Sequence, residues 1–282
     1  MKFPKVFVII LNYNGEKVLR NCLDSLYHDN YPNKEVVVVD NASKDDSFDK
    51  MRFIFSKFHF IKNDKNLGFA AGNNVAIKWA LEKMADYVLL LNNDAFLGED
   101  ALKIMIEEAE KDQEAGIFSP IIYDKKGQIW FSGGKINWLK MCAEHQNDIK
   151  KTEFITGCAM LIRKEVFKKI GLLDEKFFLY YEDADFSYRA ERVGFGLRIL
   201  KDARVDHWEE SRSNPQKNYY LVLSGIRFFR KNVGFWKRFY LEVYLLGRKI
   251  KNYIDLRKNP VDENKQLVGK AYQDAGFLIL TK

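Results

Sequence analysis

The sequence predicts an α/β fold built on a sheet with mainly parallel strands covered by helices. Two observations carry this. Short runs rich in β-branched residues alternate with stretches of helical period, and three of the early runs stop at polar clusters. VFVIIL (6–11) is a continuous apolar run of strand length. Val18, Leu19, Cys22, Leu23 and Leu26 then recur at helical spacing. EVVVVD (35–40) is a second strand. A weaker helix (46–56) and a short strand (58–61) follow. Ile77, Ala80, Leu81 and Met84 share one face of a helix over 70–84. YVLLL (87–91) is the next strand and 100–111 the next helix.

The middle is less regular. Strands are expected at 118–123 and 129–136, the second broken by Gly133-Gly134, with a polar loop over 138–151. FITGCAMLI (154–162) reads as one buried strand, followed by a short helix ending at Gly171. A helix over 184–193 ends at Gly194, and 197–200 and 203–207 read as two short strands. From Asn218 onward the pattern is helical, aromatic and basic. The expected division is a core domain over 1–215 and a helical segment over 216–282.

Composition bounds the partners. With 47% hydrophobic and 15% aromatic residues, 282 residues suffice for a sizeable core. The net charge of +7 is uneven: 14 Lys/Arg face 5 Asp/Glu from Lys217 to the end, against 32 and 34 before it. That basic tail suits an anionic surface or simply a solvated helix. Cys22, Cys142 and Cys158 lack the spacing of a zinc site and read as small core residues in a reducing compartment. No run is long and apolar enough to span a bilayer, so a cytoplasmic location is expected. The tail has no nucleic-acid-binding motif, and no nucleic acid is expected as a partner.

The polar clusters are Asn12-Tyr13-Asn14-Gly15, Asp40-Asn41-Ala42-Ser43 and Asn92-Asn93-Asp94, each directly after a strand. Each alone is an acceptable turn. Parallel strands, however, place their carboxyl ends on one edge, where ligands bind. Neither GxGxxG nor GxxxxGK[ST] is present, so no glycine-rich cradle neutralises a bound phosphate, and a divalent cation is the natural substitute.

NYNG (12–15), VVVVDNASKD (36–45), NLGFAAGNN (66–74), LLLNNDA (89–95), TGCAMLIRK (156–164) and YYEDADFSYR (180–189) form an ordered series that resembles glycosyltransferase family 2, and within it the rhamnosyltransferase-like bacterial members. The resemblance spans roughly residues 5 to 230. It implies a GT-A fold, a mixed Rossmann-like sheet, and inverting transfer of a sugar from a nucleotide-sugar donor, either dTDP-rhamnose or a UDP-hexose. The implied acceptor is a glycan or a lipid-linked glycan in cell-surface polysaccharide synthesis.

By that resemblance Asp40 contacts the pyrimidine base, and Asn12, Asn14, Asn66, Gly72 and Asn92 line the donor nucleotide pocket. Asp94 is the expected ligand of Mg2+ or Mn2+. Asn92 stands where a second acid is usual and offers only a neutral carbonyl, so weaker metal dependence is expected. His207 is a further candidate ligand, although a lone histidine also serves structure. Asp183 is the expected catalytic base, with Glu182 and Gly157 beside the acceptor or sugar. Acids at a helix start also complement the macrodipole without any catalytic role. The basic, aromatic tail suits peripheral contact with the inner face of a membrane, or packing on the core. The alternatives are a nucleotidyltransferase that makes a nucleotide sugar, or a non-catalytic scaffold that binds glycan or nucleotide. The first lacks a glycine-rich triphosphate loop in NYNGEKVLR; the second has to explain why Asp40, Asp94 and Asp183 are all present.

Overall fold

Strand β1 (Val6–Asn12) is fully buried over Val6–Ile10, and the sheet is built outward from it. It pairs in parallel with β2 (Lys34–Asp40) on one side and β4 (Tyr87–Asn92) on the other. Runs of Val, Ile and Leu suit strands covered on both faces. The computed structural model describes residues 3–146, 149, 151–208 and 215–276. β3 (His59–Lys62) adds in parallel to β2. Beyond β4 the order continues through β10 (Ala159–Arg163), β6 (Ala115–Tyr123), β11 (Gly196–His207) and β5 (Ala95–Leu97), with β7 (Ile129–Phe131) also pairing with β6.

The sheet is therefore more mixed than the alternating pattern suggests. β10 runs antiparallel to both β4 and β6, and β5 antiparallel to β11. Hydrophobic patterning reports burial but not strand direction. Helix α1 (Leu19–His28) packs against β5 and α2 (Ser47–Ile54). α3 (Gly68–Glu82) packs on β1, β2 and β4, and α4 (Ala101–Lys111) on β6 and β11.

Three further expectations change. The segment 154–158 is buried but not strand. Ile155 N–H donates to Ser187 Oγ, Gly157 N–H to Asp183 and Cys158 N–H to Thr156 Oγ1. Its backbone is satisfied by side chains, which an apolar pattern cannot reveal. Residues 197–200 and 203–207 belong to the single strand β11, with a bulge between Leu200 and Arg204. The polar 138–151 stretch contains β9 (Cys142–His145), which pairs with β8 (Gly134–Asn137) as a separate hairpin.

Helix α6 (Glu182–Arg192), which opens with Glu182, Asp183 and Asp185, follows α5 (Lys164–Ile170). Three helices close the described chain: α7 (Pro215–Asn232), α8 (Phe235–Lys258) and α9 (Glu263–Asp274). α7 packs on the core rather than facing solvent. Phe228 and Phe229 are buried, Trp138 packs against both rings, and Arg227 donates to Lys176 O. Trp138 is thereby a packing residue.

Asp185 ties α6 to α7. It is fully buried, and it accepts from Arg189 Nε at 2.8 Å and Lys231 Nζ at 2.9 Å. Arg189 also donates to Ile170 O and Leu172 O. Removing one member of such a group leaves uncompensated charge. Asp185→Ala is expected to lower unfolding free energy by about 2–3 kcal/mol, less than for a wholly buried pair because Lys231 is partly solvated. Urea denaturation measures it, and an unchanged midpoint would refute the link.

Candidate active site

Register sets the site. Asn12 lies opposite Asp40, and Leu11 opposite Asn92, so all three polar clusters emerge at one carboxyl edge. Asn12 and Asp40 are fully buried. Asn12 Nδ2 donates to Asp40 Oδ1 at 3.0 Å, Ser43 Oγ at 3.2 Å and Ser47 Oγ at 2.9 Å. Its Oδ1 accepts from Asn93 Nδ2 at 3.1 Å, joining the third cluster to the first. Asp40 also accepts from Ser43 N and Ser43 Oγ. A carboxylate offers about four lone-pair positions, so most of Asp40's capacity is taken up within the polar clusters themselves. Asn14 holds a left-handed backbone (φ 53°) and closes the loop, its Oδ1 accepting from Lys44 N at 2.8 Å. Gly15 is needed for close approach: a Cβ there would lie 2.2 Å from Asn12 Oδ1.

Asn41 is a centre that the motifs alone did not single out. Its Nδ2 donates to Asn66 Oδ1 and Gly68 O, and its Oδ1 accepts from Asn63 Nδ2. Asn66 in turn accepts from Gly68 N. These bonds hold the first turn of α3 against β2. Gly72 permits it, because a Cβ at that position would sit 2.6 Å from Leu11 and 2.9 Å from Asn41. Asn66 and Gly72 thus build the wall between α3 and the sheet edge. Ser43 and Asn93 belong to the same network, their signal being membership of the polar clusters after β2 and β4.

Asn92 N–H donates to Cys158 O, and the neighbouring Gly157 N–H donates to Asp183 Oδ2 at 3.0 Å. β4 is thereby connected to the start of α6. A Cβ on Gly157 would contact the Phe69 ring at 3.0 Å, so the small residue also admits that ring. Asp183 accepts a second backbone bond from Ala184 N at 2.7 Å. Burial raises its pKa above the ordinary aspartate value, against the lowering effect of these two bonds. Glu182 is buried, and its Oε2 has no hydrogen-bond partner among the described residues. Burial first, and then the Asp183 charge, push its pKa well above the glutamate range.

The acids are presented by an unusual turn. Tyr180 and Tyr181 both have left-handed backbones, φ 67° and 66°. Phe178 O accepts from Phe69 N, Leu179 O accepts from Ser224 Oγ, and the Tyr181 ring packs on Phe228 and Phe229.

Asp94 and His207 meet although 113 residues apart, with His207 Nε2 at 3.1 Å from Asp94 Oδ1. β5 and β11 bring them together through the pairing of Ala95 with His207. His207 is buried, and its Nδ1 is unpaired among the described residues. No group of three or more His, Cys, Asp or Glu suited to a metal occurs among the described residues. The pair does fit a cation that takes its remaining ligands from phosphate and water, since imidazole and carboxylate suit Mn2+. His145, which has no motif context, lies close enough to Asp183 for its charge to favour the ionised carboxylate. Trp130 packs against both His145 and His207. Cavities of about 490 and 610 Å3 lie along α7 and among α7–α9, and none of the residues lining them is a predicted site residue.

Residues 7–171 match the family model described as glycosyl transferase family 2. The chain is 29% identical over 202 residues to the low-salt glycan biosynthesis hexosyltransferase Agl10 of Haloferax volcanii, which covers 67% of this chain but only 62% of that relative's length. It is 27% identical to the dTDP-rhamnosyl transferase RfbF of Shigella flexneri over 80% of each chain. Among solved structures, GalNAc-T7 with UDP, GalNAc and Mn2+ superposes with a TM-score of 0.68 at 16% identity, over 97% of this chain and 55% of that one. That likeness bears on the fold, which is GT-A. With the family model matching more than half of the sequence, and with the polar sheet edge and the acid-bearing helix in place, the chain belongs to glycosyltransferase family 2.

Proposed function

We propose that this chain is an inverting glycosyltransferase that moves a sugar from a pyrimidine nucleoside-diphosphate donor, dTDP-rhamnose or a UDP-hexose, to a glycan or lipid-linked acceptor in cell-surface polysaccharide synthesis. Residues 1–215 form its catalytic body and 216–282 a helical extension, and it works at the inner face of the cell membrane. The observation that carries the reading is Asp183: a carboxylate gripped by two backbone N–H groups, with a pKa raised by burial, joined through Gly157 and Cys158 to the polar sheet edge. The similarity to RfbF supports rhamnose as the sugar.

In this reading Asn12, Asn14, Asp40, Asn66 and Asn92 frame the nucleotide, with Gly72 clearing space. The acceptor hydroxyl oxygen attacks the anomeric carbon, and its proton passes to Asp183. The bond from that carbon to the diphosphate oxygen breaks on the opposite face, so configuration inverts. One base suffices for this displacement. Glu182, beside the acceptor, holds its proton more tightly than a free glutamate, first because it is buried and then because of the Asp183 charge. Asp94 and His207 would hold a divalent cation, Mg2+ or Mn2+, which when bound supplies charge stabilisation to the departing nucleoside diphosphate.

Asp183→Asn is expected to preserve donor-induced thermal stabilisation while lowering turnover roughly a hundred- to ten-thousand-fold; near-normal turnover would end its assignment as base. Because the base has to be ionised, kcat in the parent is expected to rise with pH through a pKa above the usual aspartate range.

UDP or dTDP with Mn2+ is expected to raise Tm where GDP, ADP and NAD do not. Asp94→Ala is expected to abolish the Mn2+ contribution but not the whole nucleotide shift. A shift with NAD alone, or with no nucleotide, would overturn the donor assignment.

Glu182 predicts a pH dependence of stability. A carboxyl with a raised folded pKa binds its proton more tightly in the folded state. Its stabilising contribution is present below the unfolded pKa and is lost as pH rises through the folded one. Tm of the parent is therefore expected to fall relative to Glu182→Gln as pH rises from the carboxylate range, the two converging in acid. Parallel curves would contradict the burial argument.

A further inference from the structure

We propose that the outer face of α8 docks in the plane of an anionic lipid bilayer. The inference refines the acceptor side of the reading above and rests on it only for the acceptor's location. Trp236, Phe239, Val243, Leu246, Ile250 and Tyr253 recur at alternating steps of three and four, which places them on one side of the helix. All six are exposed, Trp236 and Phe239 at 89% and 81%. The opposite side is already used: Leu241, Leu245 and Asn252 are buried, and Asn252 donates to Lys265 O of α9. The stripe is about 26 Å long at helical rise. An apolar face of this extent seldom stays uncovered.

Charge identifies what covers it. α8 carries seven Lys/Arg and only two acids. Both acids are turned to neighbouring helices, Glu242 pairing with Arg230 and Asp255 with Lys265. The helical positions of Lys251 and Lys258 flank one side of the stripe, and those of Arg238 and Lys249 the other. Apolar rings bordered by cations complement lipid tails beneath anionic headgroups, and Trp and Tyr favour that boundary. A second copy on the same stripe would bring two strongly cationic helices together, and would need Trp236, Phe239 and Tyr253 to fill a seam that usually takes Leu, Ile or Val. No described helix is long and apolar enough to cross a membrane, so the contact is in-plane.

The test is co-sedimentation of the full chain with vesicles of phosphatidylcholine alone or mixed with phosphatidylglycerol. Binding is expected only to the mixed vesicles and to weaken with salt. The double variant Trp236→Ser/Phe239→Ser is expected to lower partitioning by about tenfold or more. Both side chains are exposed, so folding should be intact, verified by an unchanged Tm. Lys251→Glu/Lys258→Glu is expected to weaken binding to the mixed vesicles and to leave it largely insensitive to salt. A chain that stays in the supernatant overturns the proposal, as does binding that the double variant leaves unchanged. A dimer in light scattering that the double variant dissolves, without vesicle binding, assigns the face to a second copy and also overturns it. Vesicle binding requires no catalysis. Failure here with nucleotide binding intact therefore removes the docking face alone, whereas failure of nucleotide binding removes the donor assignment alone.

Discussion

The site depends on the left-handed pair Tyr180-Tyr181. Two successive non-glycine residues in that conformation cost roughly 1–2 kcal/mol each. The turn persists because its surroundings over-determine it: Phe69 and Ser224 bond the carbonyls before it, and the Tyr181 ring lies against Phe228 and Phe229. Full burial of each of those phenylalanines contributes about 1.5–3 kcal/mol, enough to offset the strain. The turn brings Glu182 and Asp183 to the first turn of α6, where Gly157 and Ala184 grip the Asp183 carboxylate.

The second constraint is register. β1, β2 and β4 start together: Asp86, before β4, donates its N–H to Lys5 O and accepts the Lys5 N–H on its side chain, and Val6 N–H donates to Asn33 O before β2. From that shared start, strands of similar length deliver Asn12, Asp40 and Asn92 to one edge. A slip of one residue would turn the apolar sets of these strands to the wrong faces. Packing of the core therefore fixes the alignment of the polar edge. Along that edge Asn14 and Ala42 have left-handed backbones.

Much of this was legible in the sequence. Apolar runs ending in Asn, Asp and Ser located β1, β2 and β4 and their shared edge, because burial and turn chemistry are both local properties. The ordered motifs pointed to the family. What was not legible is non-local. The antiparallel insertion of β10 leaves no trace in hydrophobicity. The segment 154–158 looked like strand because it is buried, while its hydrogen bonds go to Ser187, Thr156 and Asp183. Asn41 resembled any turn asparagine, and its side-chain partners lie 22 to 27 residues away. His145 carried no signal at all. The meeting of His207 with Asp94 follows from the pairing of β11 with β5, and β5 is too short to be read from the pattern.

The clamp between α6 and α7 also bears on how such chains diversify. Asp185 with Lys231, Leu179 with Ser224, and Tyr181 with Phe228 each pair one residue of the acid-bearing segment with one of the tail. A recombination event that exchanged the tail alone would bring in a helix lacking these complements, and would disturb the turn behind the acids even though no acid had changed. Point changes along the exposed face of α8 leave these contacts in place, whereas wholesale exchange of the C-terminal helices removes them.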